Sequence, residues 1–211
     1  MPNVKQQSPR QLKAAITRLR MLRAAYELFC ELGFRATTME AIAERASVAV
    51  QTLYFTFHTK DELLQAVHDW TVLGDDPTPP PMQVWYVAAV AEPDPRKSLV
   101  MIVEGIALIA SRVAPMLPVF HAVSADPAGV VYRHAESLRR RGFEDLVDAL
   151  CRKAPLRKGL TRQRAADLIF VLAGPDSYRS FVLEAGWTSK QWVTWVSSTL
   201  ARDFFGAPPV P

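Results

Sequence analysis

Residues 37–67, TTMEAIAERASVAVQTLYFTFHTKDELLQAV, constrain the fold more than any other stretch of this chain. Thr38 stands where an N-cap belongs. Met39, Ile42, Ala43 and Ala46 recur at helical spacing while Glu40, Glu44 and Arg45 fall on the other face, which predicts a short amphipathic helix. Ser47-Val48-Ala49 interrupts the period, and Val50 to Phe57 restart it with Leu53 and Phe57 four apart. Ala43 leaves no bulk where a second helix must cross the first, so the pair is expected to form a helix-turn-helix. Its second helix turns Val50, Gln51, Thr52 and Phe55 away from the Leu53 and Phe57 face, the layout needed for a helix N-terminus to enter a major groove. Thr59 can then cap a helix from Lys60 to about Leu73, with Asp61 and Glu62 in the first turn complementing its dipole.

Upstream, Met1 to Gln7 reads as a tail, and Ser8-Pro9-Arg10-Gln11 has the form of a capping box with Pro at the first helical position. Leu12, Ile16, Leu19, Leu22, Tyr26 and Phe29 then predict one buried stripe along a helix that Gly33 ends. The formal charge is +4, and its distribution says more than its sum. Residues 1–23 hold Lys5, Arg10, Lys13, Arg18, Arg20 and Arg23 without a single acidic residue. Arg10, Lys13, Thr17 and Arg20 form a second stripe, either a plain solvated face or one that meets a polyanion, and the neighbouring helix-turn-helix favours the polyanion.

These segments, RLRMLRAAYELFCELGFRATTMEAIAERA, TLYFTF and KDELLQAV, resemble the TetR (tetracycline-repressor) family of transcription regulators over residues 18–67. Three positions depart from the family pattern. Ser47 stands where the family usually has Gly, Ala49 where it usually has Ser, and Thr56 where a His often precedes the last Phe, with His58 displaced past it. The first two are expected to leave a left-handed non-Gly residue in the turn and a second helix without a side-chain cap, each costing about 1 kcal/mol. The resemblance implies an all-α chain: an N-terminal three-helix helix-turn-helix domain followed by a C-terminal helical domain for ligand binding and dimerisation.

The rest of the sequence fits that expectation. Gly74 to Met82, GDDPTPPPM, reads as an extended proline-rich linker, giving a DNA-binding domain with its connecting helix over 1–73 and a second domain over 83–211. Beyond it the pattern is helical without strand alternation. Helices are expected at Gln83–Ala91, from Asp94-Pro95 to Ala114, near Phe120–Ser124 and from Asp126-Pro127 to about Lys153. The last of these buries Leu138, Leu146 and Leu150, with Arg139-Arg140-Arg141 as a solvated run. Two more follow, one capped by Thr161 and kinked at Gly174-Pro175, the other opened by a Thr188–Gln191 capping box and carrying Trp192, Trp195, Val196, Leu200 and Phe204. The apolar run Leu99–Ala110 is broken by Glu104 and reads as a core helix surrounded by others, too short and punctuated for a bilayer.

Cys30 and Cys151 lie in helical patterns with no CxxC and no His at ligand spacing, which predicts reduced packing residues in a cytoplasmic protein and no metal or cofactor. His58, His68, His121 and His134 form no HExxH or comparable motif and no phosphate loop is present, so the chain is read as no enzyme. Gln51 is the best base-edge reader, because its amide donates and accepts at once as adenine requires, while Val50 and Thr52 suit thymine methyls. The resemblance adds phosphate contacts at Thr38, Thr52, Tyr54 and Lys60; His58 and Arg20 are further phosphate candidates. For a ligand cavity the adaptable or amphipathic residues are Trp85, Tyr86, Met101, Glu104, Met116, Phe120, His121, Tyr132 and Tyr178, each of which also suits plain core. Glu104 needs a partner such as Arg179 or His121, unless its stripe reaches solvent.

The expected function is that of a homodimeric DNA-binding repressor, paired through the C-terminal helices and released from double-stranded DNA by a small apolar effector. A ligand-independent silencing protein whose second domain only dimerises is the alternative. No membrane association is expected.

Overall fold

The computed structural model describes residues 8–75, 77–125 and 129–206. The expected tail Met1–Gln7, with Lys5, and the Asp126-Pro127 helix start lie outside the described residues. The chain divides into two compact units, Met1–Trp70 and Thr71–Pro211, and the described residues contain helices and turns but no strand.

The first unit is built from α1 (Pro9–Ala36), α2 (Met39–Arg45), α3 (Val50–Thr56) and most of α4 (Lys60–Leu73). The predicted capping box starts α1: the Ser8 hydroxyl accepts from the Gln11 amide, and the Gln11 side chain accepts from the Ser8 amide at 2.8 Å. Met21, Leu22, Ala25, Leu28 and Phe29 of α1 pack with Met39, Ile42, Ala43, Leu53, Phe57, Leu63, Leu64 and Val67 as one core. The predicted stripe is buried only in part. Leu12 and Ile16 are exposed, because α1 begins three turns before the first residue that the core covers.

The boundary between units falls inside α4. Its last turn belongs to the second unit through Arg112, whose guanidinium donates to the carbonyls of Thr71 (2.8 Å) and Val72 (3.3 Å). In the proline-rich segment, Pro80–Met82 form a short 3-10 turn, and the Gln83 amide ties it back by donating to Thr78 (2.9 Å) and Leu73 (3.3 Å).

The second unit holds α5 (Val84–Ala91), α6 (Pro95–Val113), α7 (Leu117–Val123), α8 (Val130–Cys151), α9 (Arg162–Leu172), α10 (Pro175–Tyr178) and α11 (Ser189–Phe205). Asp94, Thr161 and Thr188 cap α6, α9 and α11 as expected. The two amides that Asp94 accepts from, Lys97 and Arg96, hold its carboxyl below the usual range. Leu99, Ile102, Val103 and Ile106 of α6 meet Leu146 and Leu150 of α8, Ile169 of α9, and Trp192, Val196 and Leu200 of α11 in the core.

Four expectations change here. First, α6 is not surrounded: Val100, Glu104 and Leu108, four apart, form an open face. Second, the apolar stretch read as too short for a bilayer is longer than expected: Pro115 and Pro118 sit in the first turns of the 3-10 turn Ala114–Met116 and of α7, and helical backbone carries on from Pro95 to Val123, 29 residues. That run is long and apolar enough to cross a bilayer by length and composition, yet 56% of its most apolar window is buried inside the unit, as in a core helix. Third, Leu138 is exposed while its neighbours in the arginine run are bound. Arg139 lies 3.7 Å from the Phe170 ring centroid, donates to the Phe170 carbonyl and pairs with Glu136; Arg140 lies 4.2 Å from the same ring and pairs with Asp167 at 2.7 Å. These two cations tie α8 to α9. Fourth, the kinked helix continues past α10 as a π-helical turn, Arg179–Glu184, ahead of an aromatic trio of Phe181, Trp187 and Trp195.

Candidate nucleic-acid interface

Local chemistry sets the corner from which α2 and α3 hang. Gly33 turns α1 with φ 79°, a conformation that favours glycine. The buried Thr37 hydroxyl lies 2.8 Å from the Gly33 carbonyl and 3.1 Å from that of Leu28. The Lys60 ammonium, from the start of α4, donates to the carbonyls of Phe34 (2.8 Å) and Thr37 (2.9 Å) and sits 4.5 Å from the Phe34 ring centroid. α2 is pinned to α1 by Arg45, which pairs with Glu31 at 3.0 Å and Glu27 at 3.3 Å. The hydrogen bonds from Arg45 hold the Glu31 carboxyl below its usual range.

The turn into α3 carries both expected departures. Ser47 is left-handed at φ 53°, and Ala49 provides no side-chain cap. α3 nevertheless keeps its place because Leu53 is wholly buried, Phe57 is buried behind it, and the Arg18 guanidinium lies 4.6 Å from the Phe57 ring centroid.

That anchoring leaves Gln51, Thr52, Tyr54 and Phe55 exposed and Val50 half-buried. Thr38, His58 and Arg20 are exposed as well. The Thr38 hydroxyl already accepts from the Ala41 amide at 3.1 Å, as the N-cap of α2. The Lys60 ammonium, expected at a phosphate, donates within the unit to carbonyls at and just past the end of α1. Phe55 belongs to the predicted outward face but to none of the expected contacts, and at 84% it is among the most exposed large apolar side chains described. Its spacing from Gln51 placed it on that face; nothing in the sequence said that no other element would cover it.

The expected ligand residues of the second unit fall into separate places. Trp85 and Tyr86 are neighbours on α5, with ring centroids 5.6 Å apart, and the Trp85 indole lies directly over Gly105 of α6 while its N–H donates to Gln83 at 2.7 Å. Burial pushes the Tyr86 phenol up. Met101 is half-buried, and Met116 and Phe120 are fully buried. Phe120 stacks on Tyr132, whose phenol is pushed up to about 12 by burial and by the carboxylates of Glu136 and Asp176. His121 meets the same Tyr132 ring edge-on and lies 3.9 Å from Asp176. Tyr178 instead packs edge-on against Trp192 in the core. Glu104 reaches solvent; Arg179 pairs with Glu184 at 3.0 Å. Cys30 is exposed rather than packed, and burial pushes the Cys151 thiol up.

An all-helical chain whose N-terminal unit is a helix-turn-helix, with the second helix held by its inner face and bare on its outer one, defines the class of helix-turn-helix proteins. Residues 21–67 match the model of a family described as bacterial regulatory proteins, tetR family. The HTH-type transcriptional regulator UidR of Escherichia coli (strain K12) is 42% identical over 57 residues, which are 27% of this chain and 29% of UidR. The chain therefore matches less than a third of the length of that relative. Solved structures extend the likeness in fold. The fatty acid degradation regulator FadR of Bacillus halodurans superposes with a TM-score of 0.69 at 16% identity, over 86% of this chain and 96% of that one. NalD, the secondary repressor of the MexAB-OprM multidrug efflux pump in Pseudomonas aeruginosa, gives 0.67 at 18% identity, over 92% and 98%.

Proposed function

We propose that this chain is a cytoplasmic transcription repressor, not an enzyme, that binds double-stranded DNA as a homodimer and lets go when a small apolar effector occupies its second domain. The observation that carries this reading is α3: a helix gripped from behind by Leu53 while Gln51, Thr52 and Tyr54 stand bare, in a unit that matches the tetR family. Gln51 reads an adenine edge, Val50 and Thr52 touch thymine methyls, and Tyr54, Thr38, His58 and Arg20 meet phosphates, which orient the domain without reading sequence. The Lys60 ammonium, occupied by carbonyls, acts by holding the corner rather than by contact.

Residues 1–73 are the DNA-binding domain in this reading, 74–82 the connection, and 83–211 the dimerisation and effector domain, paired through the C-terminal helices. Two recognition helices must then lie about 34–36 Å apart, or a multiple of a turn, to enter successive grooves of a pseudo-palindrome. An effector that binds better to a dimer with the wrong spacing shifts the population by its differential affinity.

The test is a gel shift of the full chain against the region upstream of its own gene. A Gln51→Ala variant is expected to lose about 1–3 kcal/mol of discrimination at one base position while non-specific binding stays as it was. Equal binding of every sequence by wild type and variant alike would remove the base-reading role.

A further inference from the structure

We propose that the connection between α8 and α9 is a second duplex-binding surface: with Arg152, Lys158 and Arg164 it holds the phosphates of a DNA duplex other than the one α3 reads, without regard to sequence. This rests on the DNA-binding reading above and adds a contact in the second unit, which that reading gives to pairing and the effector alone.

Residues 149–166 hold six cations, Arg152, Lys153, Arg157, Lys158, Arg162 and Arg164, and no carboxylate. Like charges crowded over so short a stretch repel and cost stability. Arg162 and Arg164 stand in the first turn of α9, at the positive end of its dipole, and no acidic residue shares that turn. Three of the six are used within the unit. Lys153 donates to the Ala89 carbonyl (2.9 Å) and to the buried Ser98 hydroxyl (2.6 Å), which seats the end of α8 on the corner between α5 and α6. Arg157 donates from its side chain to the Asp203 carbonyl (2.6 Å) and from its amide to that of Phe204 (2.7 Å), which seats the connection on the end of α11. Arg162 pairs with Asp148 at 2.9 Å. The other three, Arg152, Lys158 and Arg164, are exposed and make no hydrogen bond or ion pair among the described residues. The first carboxylates met on either side along the chain, Asp148 and Asp167, are already paired, with Arg162 and Arg140. The connection is thus fastened at two points and presents three open cations from a fixed backbone.

What stands between the cations selects the anion. Pro155, Gly159, Thr161 and Gln163 are exposed, while Leu156 and Leu160 pack against the core, so this stretch offers no bare apolar side chain to enter a bilayer or to grip a peptide. It holds no aromatic residue on which an unpaired base could stack, which favours a duplex over a single strand. Arginine and lysine beside small and polar neighbours match the phosphodiester backbone, whose contacts position without reading sequence. A molecule seated on one duplex through α3 therefore keeps a cationic face for another.

The experiment is a capture assay with the full chain. The region upstream of its own gene is fixed to beads, the protein is bound to it, and a labelled duplex of scrambled sequence is then offered across a salt series. Wild type is expected to capture the second duplex. Arg152→Ala/Lys158→Ala is expected to capture it on the order of ten-fold less tightly, with the slope of log K against log salt lower by about 2, while occupying the fixed duplex as wild type does. Arg141→Ala/Lys190→Ala removes the same charge at other exposed positions of the second unit and is expected to change neither reading. Absence of capture by wild type, capture that survives in the Arg152/Lys158 variant, or an equal fall in the control overturns the second surface and leaves the role of α3 standing. Displacement of the second duplex by polyglutamate, or by phosphatidylglycerol vesicles, at equal concentration of charge overturns DNA as the occupant, in favour of an acidic peptide or a membrane surface. A wild-type chain that is not retained on the fixed duplex overturns the DNA-binding reading and the second surface with it.

Discussion

α3 and α5 invite comparison. Each is a single short helix, of seven and eight residues, and each buries one side chain completely, Leu53 in α3 and Ala89 in α5. Each leaves part of its surface open, Gln51, Thr52, Tyr54 and Phe55 in α3 and Val84, Val87 and Ala91 in α5. What the open surface is made of separates them. α3 shows Gln51, Thr52 and Tyr54, groups that can donate, accept and stack in fixed directions, beside one bare apolar ring, Phe55, whereas the large side chains that α5 exposes are Val84 and Val87, which can only be covered. Their attachments differ too. α3 rests on the 53rd residue alone from within and on an uncapped start, whereas α5 is locked by the Trp85 ring on Gly105 and by the Gln83 side chain behind it. A directional surface on a lightly held helix suits recognition; an apolar surface on a locked helix suits packing.

The largest expected effect tests the attachment of α3. Leu53→Ala removes its wholly buried anchor and is expected to cost about 2–5 kcal/mol in denaturant unfolding, with DNA affinity lost alongside. Loss of DNA affinity without loss of stability would mean that the helix is held by its turn instead. Next comes the attachment of α5. A methyl at Gly105 would run into the Trp85 ring, and because a ring end cannot bend away, Gly105→Ala is expected to cost about 1–3 kcal/mol by the same measurement. A neutral result would show that Trp85 has room to swing. Third, Ser47→Gly relieves a left-handed serine at the entry to α3 and is expected to raise stability by up to about 1 kcal/mol, seen as a higher thermal midpoint. The smallest expected effect is at Val84→Ser, which should stay within about 0.5 kcal/mol if α5 faces solvent in the working protein; a larger loss, growing with protein concentration, would sharpen the contrast by showing that α5 is covered by a second copy.

The same contrast explains what could be read from the sequence. Caps and short-range periods were legible because they are satisfied within one turn: Ser8 with Gln11, Thr188 with Gln191, and Leu53 with Phe57 all stand as expected. The left-handed Ser47 followed from a position where glycine is usual. Periodicity says which way a side chain points, but not whether another element lies there. Leu12, Ile16 and Leu138 share the period of buried neighbours and stay exposed, while Arg139 and Arg140, read as solvated, lie against a ring contributed from 30 or so residues away. Of the candidate interface, the exposure of Gln51 and Thr52 was legible from their place on α3. That Phe55 would stay bare was not, because its exposure depends on what the core brings beside α3. The π-helical turn at Arg179–Glu184 had no local signal.

The corner at Gly33 has a practical consequence for anyone mapping this surface. Lys60 gathers carbonyls from the end of α1 and the approach to α2, so its removal loosens the mount rather than the reader. An alanine screen scored only by operator occupancy will therefore flag a position whose ammonium need never approach a nucleotide. Recording the folded fraction of each variant alongside its affinity separates hinges from fingertips.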